Sequence, residues 1–243
     1  MRSLRIPDMT PRRRLTSWTV ASMAALAVLA LVTGCASGGS PMGNTRPSQP
    51  TPGLAADAPT VAFYGDSYTL GTGASAQAKR WSTIISAERG WNEFNPSVNG
   101  LGFVTYRDAL PGPDLVELVI DAKPDIVIVT MGLNDNFVMP DRADDIRSAI
   151  TADLTALTSA LPRARLVVVE PFWYTDERPA SVQRIIGWVQ ATAGDAGADY
   201  IPGASRWIEG HPEWMAGDGL HPNDEGYRAM AERMDAELGK LGL

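Results

Sequence analysis

The stretch that decides the fold is "VAFYGDSYTLG", residues 61–71. It begins as a continuous apolar run and ends in Gly65-Asp66-Ser67, a glycine, an acid and a hydroxyl. Turn chemistry favours all three residue types, so the tripeptide alone marks only the end of a strand. Two further runs share its character: "DIVIVTMG" (125–132) and "ARLVVVEPF" (164–172) are apolar and rich in β-branched residues. Such uninterrupted runs suit strands covered on both faces. A weaker strand is predicted over 94–98 and a last one in "DYIPG", 199–203. Helical patterns fall between them, over 76–89, 111–122, 142–160, 180–196 and 223–240.

Alternating strands and helices with short connections predict a three-layer α/β/α sandwich around a mostly parallel, flavodoxin-like sheet of about five strands. Residues 59–243 form this domain, long enough for one sizeable core, and no internal repeat interrupts it. In such sheets ligands bind beyond the carboxyl ends of the strands. Gly65-Asp66-Ser67 ends the first strand and "MGLNDN" (131–136) ends the next clear one, so two polar turns share a rim.

The first 58 residues read differently. Five arginines precede residue 15, and an apolar, alanine-rich segment from Trp18 to Val32 follows. A basic start, a short apolar stretch and a small-residue ending describe a secretory signal, residues 1–34, because a membrane span needs about twenty apolar residues. "VTGC" (32–35) resembles the lipobox of bacterial lipoproteins, which implies lipid on the sulfur of Cys35 and attachment to a membrane. Cys35 is the only cysteine, so no intramolecular disulfide forms. Two or more acyl chains would make such an anchor stable. The triple arginine at 12–14 leaves the general and the twin-arginine export routes both open. Residues 36–58, rich in Gly, Ser, Pro and Thr, predict a disordered tether of roughly 25 Å mean reach. The expected location is the extracytoplasmic side of the cell envelope.

The chain carries 21 basic and 28 acidic residues. Loss of residues 1–34 removes five arginines and one aspartate, leaving 16 and 27 and a net charge of −11. Acidity of this size argues against nucleic acid as a partner.

A third polar block, "GDGLHPNDEGY" (217–227), carries one of the chain's two histidines. Asp218 lies three positions before His221, a spacing that lets its carboxylate meet Nδ1 and leave Nε2 for a proton. Asn223 is placed to cap the last helix.

Together the three blocks resemble the GDSL esterases, also called SGNH hydrolases. Gly65-Asp66-Ser67, Gly132-Leu133-Asn134-Asp135 and Asp218-Gly219-Leu220-His221 occur in the family's order and span most of residues 60–240. The resemblance implies Ser67 as nucleophile, His221 as base, Asp218 as its acid partner, and an oxyanion hole from the Ser67 amide, a glycine amide and Asn134. For that glycine, "NPSVNGLGFVT" (95–105) offers Gly100 first and Gly102 second. Leu101 and Gly102 stand where the family often has a small polar pair. The implied reaction is hydrolysis of a small-molecule or polymer-borne acyl ester through an acyl-enzyme, without metal or organic cofactor. A histidine base predicts activity falling in acid.

Two other functions would use the same scaffold: acyl transfer to a sugar or lipid acceptor, or non-catalytic binding by a lipid-anchored protein. A metal-dependent phosphoesterase would need several converging imidazole or carboxylate ligands, which two histidines supply poorly. An α/β-hydrolase would need G-x-S-x-G, which is absent. Asp66 and Asp135 are read as turn organisers. Phe172, Trp173, Tyr174, Trp214 and Met215 line an acyl pocket or fill the core, and His211 is assigned no role. Segments between the blocks are too short for a large lid, which favours small or polymer-borne acyl groups.

Overall fold

The computed structural model describes residues 57–243. The signal segment, Cys35 and the tether as far as residue 56 lie outside the described residues. Five strands, β1 (Thr60–Tyr64), β2 (Asn92–Phe94), β3 (Ile126–Val129), β4 (Arg165–Val169) and β5 (Asp199–Ile201), form one sheet in the order β2-β1-β3-β4-β5. Every neighbouring pair is parallel. The order reverses direction between β1 and β3, which opens a crevice at their carboxyl ends.

Among the described residues six α-helices surround the sheet: α1 (Ser67–Leu70), α2 (Trp81–Arg89), α3 (Leu115–Ala122), α4 (Ala143–Ala160), α5 (Ala180–Asp195) and α6 (Asp224–Lys240). Alternate strand residues divide between the two faces, as the period of two requires. Val61, Phe63, Ile128 and Val167 pack against Trp81 and Ile85 of α2 and Tyr227, Met230 and Met234 of α6. Ala62, Tyr64, Val127, Val129 and Val168 pack against α3, α4 and α5 through Val119, Ile150, Leu154 and Val189. Because both faces are buried, the strands read as unbroken apolar runs. The predicted three-layer sandwich is the observed fold.

Three boundaries differ from the sequence reading, each for a physical reason. The helix predicted over 76–89 is a 3₁₀ turn at Gln77–Lys79 followed by α2, because Arg80 is extended between them (φ −74°, ψ 147°). Its guanidinium donates to Glu93 at 2.9 Å, inside the core. The helix predicted from 111 begins at Leu115, where the Asp114 side chain accepts from Val116 N; Pro111-Gly112-Pro113 precede it. The strand predicted over 94–98 instead covers Asn92–Phe94. Asn95 leaves the ladder to donate to Thr69 O at 2.8 Å and to accept from Ser97 N at 3.1 Å, and Pro96 has no amide hydrogen to continue it.

Candidate active site

The nucleophile candidate is built by a one-turn helix. Asp66 is the N-cap of α1, and its Oδ1 accepts from Tyr68 N at 2.9 Å. The turn closes through Leu70 N donating to Asp66 O and Gly71 N to Ser67 O. Ser67, the first helical residue, therefore stands just past the end of β1 with only 5% of its surface exposed. The helix is only four residues long.

The base candidate comes from the other end of the chain. Met215 and Pro222 form an antiparallel bridge, with Ala216 N donating to His221 O at 2.8 Å, so residues 215–222 make a pinched loop. Asn223 caps α6 below it, accepting from Glu225 N and Gly226 N while donating to Glu213 O and Met215 O. At the tip of the loop Asp218 Oδ1 accepts from the amides of Leu220 and His221, both at 2.9 Å. Its Oδ2 meets His221 Nδ1 at 2.7 Å. On the far side of the ring, His221 Nε2 lies 2.9 Å from Ser67 Oγ.

Those bonds fix the proton positions. The His221 amide, followed by the imidazole and the Leu220 amide, holds the Asp218 carboxyl down at about 2. It is an ionised group that can only accept, so Nδ1 carries the hydrogen it receives. Nε2 is then the acceptor for the Ser67 hydroxyl. The structure thus brings Ser67, His221 and Asp218 into one chain of hydrogen bonds.

Two tyrosines tie the serine turn to the histidine loop and to α6 behind it. Tyr68 Oη donates to Leu220 O at 2.6 Å, and Tyr227 Oη donates to Thr72 O at 2.7 Å. The Tyr68 ring stacks on Phe172, with centroids 5.7 Å apart, and lies 6.0 Å from the His221 ring. Sequence reasoning gave Tyr68 no role. The signal was present, since a buried phenol beside the serine requires a hydrogen-bond partner.

Asn134 opens a 3₁₀ turn (Asn134–Val138) after β3. Its Nδ2 donates to Leu101 O at 2.9 Å and to Asp66 Oδ2 at 3.3 Å. Asp66 is therefore more than a turn organiser, because one oxygen caps α1 and the other orients the Asn134 amide. Burial, with a smaller contribution from the nearby Asp135, pushes the Asp66 carboxyl up to about 7. Asp135 is wholly buried, and its carboxylate accepts from Phe103 N at 2.7 Å, Val104 N at 2.9 Å and Thr105 N at 3.1 Å. Desolvation raises its pKa despite those three donors.

The two candidate glycines separate cleanly. Gly102 N donates to Thr105 O at 2.9 Å, so its amide is spent inside the loop. Gly100 has a left-handed backbone (φ +74°), and its N–H finds no acceptor among the described residues. Phe172 and Trp173, candidates for an acyl pocket, are buried in the core. Tyr174 and Met215 instead line a cavity of about 430 Å³ beside the histidine loop. His211 lies on the same wall, stacked on Trp214 with centroids 3.5 Å apart. Among the described residues no group of three or more His, Cys, Asp or Glu side chains is arranged to hold a metal ion.

Residues 63–229 match the GDSL-like Lipase/Acylhydrolase family. The chain is 29% identical over 187 residues to GDSL lipase Rv0518 of Mycobacterium tuberculosis, covering 72% of this chain and 79% of that one. Its fold is similar to that of the psychrotrophic esterase EstA from Pseudoalteromonas sp., a structure inhibited by monoethylphosphonate (TM-score 0.58, 17% identity, 75% of this chain and 97% of that one). It is also similar to the acetylxylan esterase Axe2 from Geobacillus stearothermophilus (TM-score 0.55, 16% identity, 74% and 94%). A family two carbohydrate esterase from Cellvibrio japonicus shares the fold as well (TM-score 0.61, 16% identity, 75% and 62%). From a serine at the end of β1, an asparagine after β3 and a family match spanning both, the conclusion is that this chain belongs to the GDSL-like lipase/acylhydrolase family and is a carboxylic ester hydrolase.

Proposed function

We propose that the protein cleaves short-chain acyl esters, carbohydrate-borne ones among them, through an acyl-enzyme on Ser67. The carrying observation is the unbroken chain from Asp218 Oδ2 through His221 to Ser67 Oγ, at 2.7 and 2.9 Å. Ser67 Oγ attacks the ester carbonyl as His221 Nε2 takes its proton, and ionised Asp218 stabilises the imidazolium. The oxyanion is held by the Ser67 and Gly100 amides and by Asn134 Nδ2, which exchanges its long bond to Asp66 for the stronger charge. The protonated His221 then gives its proton to the departing alcohol, and water admitted to the same base releases the acid. Phe172 and Trp173 are packed into the core and so offer no exposed apolar surface to a long acyl chain, which supports a small one.

The deciding experiment is hydrolysis of a nitrophenyl ester series from acetyl to palmitoyl. Turnover concentrated on the shortest esters is expected; a maximum at long chains would overturn the acyl-size reading. Export and lipidation at Cys35 belong to the same proposal and rest on "VTGC". A Cys35→Ser chain that still partitions with membranes as wild type does would overturn the lipid anchor.

A further inference from the structure

The cavity beside the histidine loop has no part in the chemistry described above. It is walled on one side by Gly217 and Gly219, which flank Asp218, and on the other by Tyr174, Asp176, Ile208 and His211. At about 430 Å³ it has the size of a small-molecule site. Gly219 on its wall directly precedes Leu220, whose carbonyl accepts from Tyr68 Oη, so the cavity adjoins the serine turn.

Reaction geometry says which half of the ester belongs there. The proton removed from Ser67 must reach the leaving oxygen from His221 Nε2 as the acyl C–O bond breaks. The alcohol half therefore departs along the histidine loop, and the acyl half stays with the serine and the amide donors.

The wall chemistry says what kind of alcohol. Asp176 Oδ1 accepts from Gly210 N at 2.8 Å, and its second oxygen has no partner among the described residues. His211 Nδ1 meets Glu213 Oε1 at 2.8 Å, and among the described residues neither its Nε2 nor the Tyr174 hydroxyl makes a hydrogen bond. One acceptor, one ring nitrogen and one hydroxyl are thus unspent around an apolar floor of Ile208 and Met215. A polyol can pair with each of the three, whereas an alkyl alcohol offers them no hydrogen bond. The stacked pair of His211 on Trp214, whose rings lie within 8° of parallel, holds one of these groups rigid.

Resting on the esterase reading above, we infer that this cavity is the alcohol subsite and that Tyr174, Asp176 and His211 select a polyhydroxylated alcohol, a sugar ring, over an alkyl one.

The test compares 6-O-acetylglucose with hexyl acetate, which share the acyl group and the carbon count of the alcohol. Wild type is expected to favour the sugar ester in kcat/KM by at least about tenfold, the value of one or two hydrogen bonds. Tyr174→Ala, His211→Ala and Asp176→Asn are each expected to reduce that ratio severalfold, chiefly by raising KM for the sugar ester. Asp176→Asn keeps an oxygen for Gly210 N, so its result does not depend on a disturbed loop. A wild type that prefers hexyl acetate, or a ratio that all three variants leave unchanged, overturns the subsite. Failure to hydrolyse either ester would instead count against the esterase reading itself.

Discussion

Gly102 and Asp135 pack so closely that a β-carbon on Gly102 would stand 2.6 Å from Asp135 Cγ. The contact explains why Gly102 must be glycine although its amide points elsewhere. Asp135 gathers the amides of residues 103–105 and so positions the loop that begins at Gly100. Gly102→Ala is expected to displace the carboxylate, lowering stability by about 1–3 kcal/mol and turnover with it. Gly100→Ala meets open space and pays only for its left-handed backbone, about 1–2 kcal/mol, with its amide retained. Urea midpoints and kcat for the pair distinguish a packing glycine from a donor glycine.

Removal of either reacting group should stop the reaction. Ser67→Ala and His221→Ala are each expected to lower kcat by on the order of 10⁴ to 10⁶, and the double variant by scarcely more, since members of one unit fail together. Steady-state kinetics on nitrophenyl acetate measures this. Wild type should also lose activity to an organophosphonate that becomes attached at Ser67.

Asn134→Ala should cost about 10² to 10³ in kcat, with KM little altered, because its amide serves the charge that develops only during reaction. A change confined to KM would mark Asn134 as a substrate-binding group instead.

Asp66 gives a prediction in pH. Burial favours its neutral form and lifts its pKa from the ordinary 3.8 to about 7. That contribution to stability is complete below pH 4 and disappears as pH rises through 7. Asp66→Asn keeps an oxygen for the Tyr68 amide but cannot ionise. Denaturant unfolding of both proteins from pH 4 to 8 should show wild type weakening relative to the variant, on the order of 3–4 kcal/mol across the window. Parallel stability curves would show that Asp66 stays ionised in the fold.

Much of this architecture was legible in the sequence because β1, β3 and β4 are buried on both faces and leave an unbroken apolar record. β2 was placed a few residues late for the converse reason. Its central Glu93 is a charged residue in a strand, tolerable only because Arg80, Ser82 and Thr83 donate to it, and no local pattern announces that pairing. The site followed the same division. Ser67, Asn134, Asp218 and His221 stand in short blocks readable one at a time. The links between blocks, Tyr68 to Leu220 and Asp66 to Asn134, join residues 152 and 68 positions apart and exist only in three dimensions. His211 was unreadable for a related reason: its meaning comes from sharing a wall with Tyr174, which reaches it from another strand end.

Sheet formation and chemical competence are separated along the chain. The fifth strand is complete at Ile201, yet the proposed base arrives only at His221, on a loop closed by the bridge of Met215 to Pro222. A polypeptide halted between these points would own its entire sheet and have nothing to draw a proton from Ser67. Synthesis must therefore pass His221 before any ester is at risk, and a copy halted earlier is harmless.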